Sequence, residues 1–309
     1  MKAADLAHSD KPLNICVGFS QIGAESAWRS AETTSINEEA ALRKVTLISN
    51  DAQQKQENQI KAIRSFIAQK VDAIILAPVV EAGWDNVLKE AKKANIPVIL
   101  VDRGVKVSDD SLYTTLIASD FVEEGRMAAE KLVAAVDKNI PKSVSRTRNI
   151  AQIEGTTGAA PANDRASGFK EVIEKNPNFK IVKSQCGEFT RAKGKEVMEA
   201  FLKSGEKFDA VYAHNDDMAL GAIQAIKEAG LKPGKDIVVV SIDGVKGAFQ
   251  ALIDGSLAAC VECNPLLGPL AFDAIAAAKD GKKLAKQVIV DDKAFDAESA
   301  KKELKNRKY

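Results

Sequence analysis

Short apolar runs alternate along this chain with longer stretches in which apolar residues recur every three or four positions. The first pattern predicts buried strands and the second amphipathic helices. Strands are expected at 14–19, 45–49, 71–77, 96–101 and 113–118, with helices to about Ala41, around Ile60 and Phe66, and over 84–94. The 71–77 run is apolar enough to be covered on both faces, as parallel strands are, and Pro78 stops it. A helix at 121–136 follows. Strands at 150–153, 181–186, 208–212, 237–242, 257–262 and 287–290 come next, most of them separated by helices at 164–174, to Leu202, from Met218 to Lys227 and at 266–278. The basic tail 301–308 reads as a solvated helical face. Such alternation predicts an α/β fold, with parallel sheets covered by helices on both faces. About ten strands are too many for one doubly wound unit of this length, which favours two similar lobes.

The stretch 212–221 focuses the reading. It carries Asn215, Asp216 and Asp217 where a strand ends and a helix begins. Side-chain oxygens there can cap free amides, and acids suit the positive end of the helix dipole. It is also the sheet edge where α/β proteins bind ligands. An N-cap and a ligand contact both fit Asn215.

Composition narrows the class. The chain has 309 residues, 45% hydrophobic and 28% charged, with a net charge of +1. That suits a full core in one large or two medium domains and gives no reason to expect nucleic acid or an acidic membrane as partner. No apolar run approaches the roughly 18 residues of a membrane span. Residues 1–10 are polar and lack a signal peptide's apolar centre, so the chain is expected to be cytoplasmic or to have had a signal removed. Of the four cysteines, Cys260 and Cys263 have C-x-x-C spacing, but a strand sends residues three apart to opposite faces, so packed thiols are expected.

Several chemistries lack their residues. No dinucleotide fingerprint, phosphate loop or nucleophile elbow is present, and with two histidines a serine triad would rest on His214. No cofactor or metal is expected. What recurs is polar groups after successive strands: Glu25 and Arg29, Asp102 and Arg103, Asp164 and Arg165, then Asn215 and Asp243, with Trp28 and Phe189 among them. A single pair would commonly be a cap or a surface ion pair. As a set they suit a polyhydroxylated ligand: carboxylates accept from hydroxyls, arginines and amides donate, and rings cover C–H faces.

The motifs Asp102-Arg103, Asn163-Asp164-Arg165-Ala-Ser-Gly-Phe169, His214-Asn215-Asp216-Asp217-Met218-Ala219 and Ser241-Ile242-Asp243-Gly244 carry a resemblance. The chain resembles periplasmic sugar-binding proteins of ABC importers, the ribose/galactose group, along nearly its whole length. Gly18-Phe-Ser-Gln-Ile-Gly-Ala-Glu-Ser-Ala-Trp-Arg29 and Gln53-Gln-Lys-Gln-Glu-Asn-Gln-Ile60 are similar to its galactofuranose-binding branch. The resemblance implies two Rossmann-like lobes, 1–117 with 264–290 and 118–263 with 291–309, joined by three crossings around a central cleft. It implies one monosaccharide, galactofuranose or a related furanose, held by Glu25, Ser26, Trp28, Arg29, Asp102 and Arg103 of the first lobe. Asp164, Arg165, Asn215, Asp243 and, less directly, Phe189 would serve from the second. It further implies a monomeric periplasmic protein, with its signal peptide removed, that closes by hinge motion and meets the permease and ATPase subunits of an importer. Glu154 and Cys186 depart from the group's pattern at strand ends expected to face the cleft, and Glu81 is expected to lie outside the site.

Two other classes compete. A sugar sensor feeding a receptor kinase or chemoreceptor would use the same fold. A repressor is not expected, because only thirteen residues precede Asn14, too few for a helix-turn-helix. An enzyme would need an unrecognised site and would turn over its sugar.

Overall fold

The computed structural model describes residues 1–140 and 146–309. The first sheet contains β1 (Cys16–Gln21), β2 (Thr46–Asp51), β3 (Ala73–Leu76), β4 (Val98–Val101) and β5 (Thr115–Ser119). The helices α1 (Ala27–Leu42), α2 (Gln56–Ala68) and α3 (Asp85–Lys93) connect its strands. The second sheet contains β6 (Arg148–Glu154), β7 (Phe179–Cys186), β8 (Ala210–Ala213), β9 (Val238–Asp243) and β10 (Ala259–Glu262). Its helices are α4 (Phe121–Asn139), α5 (Ala160–Ile173), α6 (Arg191–Lys203), α7 (Asp216–Glu228) and α8 (Lys246–Asp254). Then α9 (Gly268–Lys279) and β11 (Gln287–Val290) return to the first sheet, and β12 (Ala294–Phe295) and α10 (Ala297–Glu303) to the second.

The strand orders are β11-β5-β4-β3-β1-β2 and β12-β10-β9-β8-β6-β7. Every pairing is parallel except that of β12 with β10. The chain therefore forms the two α/β lobes expected. It passes between the sheets three times: after Ser119, after Glu262 and after Val290. All residues of β3 and β4 are buried, because Ala-Ile-Ile-Leu and Val-Ile-Leu-Val have helices on both sides. Parallel strands in this order send the ends of β1, β3 and β4 toward the ends of β6, β8 and β9, and the polar residues gather there.

The second lobe is tightened where α4 crosses α5. A Cβ added to Gly168 would sit 1.9 Å from the Val122 carbonyl oxygen, and one on Gly125 2.3 Å from that of Arg165. Only glycine allows this approach.

One expectation fails, and one helix was missed. The basic tail is not a uniformly solvated helical face: α10 ends at Glu303, and Arg307 turns inward. Its guanidinium donates to Glu262 Oε1 at 2.6 Å and to the Gly244 carbonyl at 2.6 Å, and stacks on Phe249, Phe295 and Tyr309. The aromatic bed and buried acceptors outweigh the tail's charge pattern. The helix α8 was not anticipated, since its nine residues follow β9 with only a two-residue turn.

In an exposed helix Gly→Ala gains about 1 kcal/mol of helix propensity. Gly168→Ala is instead expected to destabilise the protein by about 1–3 kcal/mol, because α4 and α5 must separate. Urea unfolding measures this; an unchanged or raised midpoint contradicts the packing described.

Candidate functional site

The strand ends line a small cavity between the two lobes. Glu25, Ser26, Trp28, Arg29, Asp102 and Arg103 line it from the first lobe; Arg165, Phe189, Asn215 and Asp243 line it from the second. Of the residues expected to hold the ligand, Asp164 alone is not on its wall. It is half-buried on α5, where its nearest charges are Glu81, Lys106 and Asp120. Adjacent helical residues point about 100° apart, so α5 cannot turn both Asp164 and Arg165 inward. Pro161 and Cys263 also line the cavity. Cys263 directly follows β10, whereas Pro161 lies in the first turn of α5, and neither offers the charged or amide side chain that marked the others.

In the first lobe, α1 begins at the cavity. Ser26 caps it, accepting from the Arg29 amide at 3.1 Å. The Arg29 guanidinium, 3% exposed, donates to Glu25 Oε1 at 3.0 Å, Glu32 Oε2 at 2.5 Å and Asp102 Oδ2 at 2.7 Å. Burial alone would lower its pKa, but Asp102, Glu32 and Glu25 outweigh it and hold the arginine well above its ordinary value. Arg103 Nε lies 3.5 Å from Asp102 Oδ2, so two cations face the three carboxylates, and burial pushes Glu32 up to about 7. Arg103 donates to the Val79 carbonyl at 2.9 Å, and burial with the nearby Arg29 guanidinium lowers it to about 10.

The second lobe repeats the device with a different acid. Arg165 Nε donates to Glu124 Oε2 at 2.7 Å, Nη1 donates to the His214 carbonyl at 2.7 Å, and Nη2 lies 3.7 Å from Asp243 Oδ1. Burial would lower Arg165, yet Glu124 and Asp243 help hold it well above its ordinary value. Burial raises Asp243 well above the usual carboxylate range, although Arg165 opposes this. Glu32 and Glu124 were not singled out from the sequence. They sit on helices one turn or one element away from the strand ends, where acids usually face water.

Aromatic side chains close the walls. The Trp28 indole donates to the Cys263 carbonyl at 2.6 Å, and its ring packs into the second lobe's core. The Phe189 ring lies so close over Gly155 that a Cβ there would sit 1.9 Å from it, and Arg103 of the other lobe lies 5.1 Å above it. Asp102, Phe189 and Asp243 all hold positive φ, at 62°, 61° and 132°. Such backbone costs about 1–3 kcal/mol per residue and persists where surrounding structure enforces it.

Asn215 answers both readings at once. Its Oδ1 accepts from the Met218 amide at 3.0 Å as the cap of α7, its Nδ2 donates to the Phe189 carbonyl at 3.1 Å, and the residue lines the cavity. Asp216 is structural, accepting from the amides of Gly244 and Val245 and the hydroxyl of Ser241. His214 is buried behind the wall; burial and Arg165 lower it to about 3, and Nδ1 accepts from the Gly155 amide. Glu154 and Cys186 do not reach the cavity. Glu154 accepts from Gln152 and Ser184 on the lobe's flank, and the Cys186 thiol donates to the Gly155 carbonyl at 3.1 Å.

Two cavity-lining residues keep buried polar atoms without a protein hydrogen bond, Glu25 Oε2 and Arg103 Nε, the latter with the Asp102 carboxylate 3.5 Å away. Leaving such an atom unpaired costs about 1–3 kcal/mol. An acceptor and a donor are thus available in a small, polar, aromatic-walled space. No group of three or more metal-ligating side chains occurs among the described residues, and no helix among them is long and apolar enough to cross a membrane.

The fold is two-lobed and α/β, with a polar cavity between the strand ends of its lobes, and the chain belongs to the periplasmic binding protein family, whose domain model matches residues 17–283. It is similar to several proteins whose ligands are named. It is 51% identical to the galactofuranose-binding protein YtfQ of Escherichia coli (strain K12), over 95% of this chain and 92% of that one. It is 56% identical to the periplasmic binding protein component of the arabinose ABC transporter of Shewanella sp. ANA-3, solved bound to α- and β-L-arabinofuranose. The TM-score is 0.89, and 95% of each chain is covered. A Mycobacterium smegmatis structure in complex with β-D-fucofuranose is 52% identical, with a TM-score of 0.91 over 94% of each chain.

The raised Glu32 gives a pH signature. Its folded pKa of about 7 lies above the unfolded value of about 4.3, so the stability its proton supplies is complete below about 4.3 and is lost as pH rises through about 7. Glu32→Gln keeps an acceptor for Arg29 and cannot ionise. Its melting temperature relative to wild type is expected to rise from pH 5 to pH 8; a difference independent of pH contradicts the assignment.

Proposed function

We propose that this chain is a periplasmic receptor that closes its two lobes around one monosaccharide in furanose form and delivers it to the permease and ATPase subunits of an ABC importer. The observation that carries the reading is the opposed pair of buried arginines, Arg29 and Arg165, each held by carboxylates of its own lobe on one small aromatic-walled cavity. Glu25, Ser26, Trp28, Asp102 and Arg103 would meet the sugar from one side, and Phe189, Asn215 and Asp243 from the other. Asp164 would act at most at the rim. The lobes would turn about the three crossings; the expected division at 117/118 moves to just after Ser119, where β5 ends, which gives 1–119 with 264–290 and 120–263 with 291–309. Only the closed form brings both arginines to one ligand, so binding favours closure.

The furanose ring is supported by the arabinofuranose and fucofuranose complexes and by the galactofuranose-binding relative. The importer reading is favoured over a receptor-kinase sensor by the ABC-transporter component at 56% identity. Binding without turnover is supported by the chemistry. His214 is buried behind the wall with Nδ1 engaged, and burial pushes the Cys263 thiol well above its ordinary value, away from the reactive thiolate. The receptor acts as a monomer in this reading.

A calorimetric and thermal-shift panel of aldoses, ketoses and furanose-rich sugars tests the proposal. A saturating furanose at about 100 times Kd is expected to stabilise the protein by roughly 2.7 kcal/mol. No response to any sugar refutes the assignment. Arg29→Ala, Arg165→Ala and Asp243→Ala should each cost about 2–5 kcal/mol of binding free energy, as removal of one partner from a buried charged network does. Titration calorimetry with unchanged affinities would remove these residues from the site.

A further inference from the structure

Two carboxylates outside the cavity reach from one lobe to the other. Glu81 lies in the loop after β3; its amide donates to the Gly158 carbonyl at 3.0 Å, and its Oε2 accepts from Asn163 Nδ2 at 2.8 Å, both at the start of α5. Asp217, in the first turn of α7, accepts from the Ala27 amide at 2.8 Å, at the first residue of α1. Neither residue lines the cavity. Glu81 was expected to be a bystander; its side chain is 14% exposed, sheltered by the opposite lobe.

Both are held ready from their own side. Lys106 pairs with Glu81 Oε2 at 2.8 Å and donates its amide to the Glu81 carbonyl. Gln59 pins the Glu81 loop by accepting from the Val79 amide and donating to the Ala77 carbonyl. Arg191 lies 3.1 Å from the other oxygen of Asp217. The Ala27 amide is one of the unpaired donors that begin a helix, so a carboxylate there gains both a hydrogen bond and the dipole. Such bonds join different lobes and exist only while the cleft is shut.

We propose that Glu81 and Asp217 are closure residues: each latches one lobe to the other at its own point, and together they set how tightly a bound sugar is held without touching it. The inference rests on the receptor reading above. A latch changes the free-energy gap between open and closed forms, which multiplies the Kd of every ligand by one factor. A residue touching the sugar changes different ligands differently. Since opening must precede release, the effect falls mainly on the dissociation rate.

The test compares Glu81→Ala, Asn163→Ala, their double variant, Asp217→Ala and the conservative Glu81→Gln against every sugar that wild type binds. Glu81→Ala and Asp217→Ala are expected to raise Kd about tenfold, by the same factor for each sugar. The double variant should be little weaker than Glu81→Ala, and Glu81→Gln, which keeps an acceptor for Asn163, should stay within about threefold of wild type. Unchanged affinities, or changes that differ between sugars, overturn the proposal. If wild type binds no sugar, the receptor reading fails, and hydrogen exchange then reads the latch alone. Glu81→Ala should speed exchange of the Ala27 amide, which it does not contact; equal exchange in the two proteins overturns the latch.

Discussion

Two guanidinium groups are taken out of water at the centre of this protein, and the rest of the site follows from keeping them charged there. An isolated buried charge is prohibitively costly, and a buried ion pair is tolerable only with close geometry and further hydrogen bonds. Arg29 meets that demand with Glu25, Glu32 and Asp102, and Arg165 with Glu124, the His214 carbonyl and Asp243. Each arginine is satisfied largely within its own lobe. The lobes can therefore part without stranding either charge, while their remaining polar capacity faces the shared cavity.

Positioning these groups constrains the backbone. Parallel strands deliver residues to one edge, but the side chains must then turn inward, and Asp102, Phe189 and Asp243 do so through left-handed backbone. Asn215 turns in by capping its helix. Fully apolar β3 and β4 supply the rigid floor from which these turns depart. Carboxylates, arginines, an amide and two aromatic walls in a small volume recognise hydroxyls by direction and C–H faces by shape. A site built to bond particular hydroxyls can reject a molecule lacking one by about 10⁴-fold or more.

Much of this was legible in the chain. The alternation of strands and helices is regular, and strand ends are identifiable, so Arg29, Asp102, Arg103, Asn215 and Asp243 stood out by position. The failures share a cause: position along the chain does not give direction in space. Asp164 is beside Arg165 in sequence and turned away from it on the helix. Glu154 ends a strand but faces the lobe's flank, and Cys186 ends the next one but is engaged by the Gly155 carbonyl. Glu32 and Glu124 look like ordinary helix-surface acids until the opposing arginine is known, and Glu81 looks like a loop residue until the other lobe is placed against it. Arg307 looked solvated within a basic tail and is stacked among three aromatic rings.

The central claim is that one ligand is shared by both buried arginines. A crystal structure of the protein grown with the sugar that stabilises it most tests this directly. The account predicts a single furanose between the lobes, within hydrogen-bond distance of both Arg29 and Arg165, with Trp28 and Phe189 against its C–H faces. A sugar held by one lobe alone, or seated outside this cavity, would contradict it.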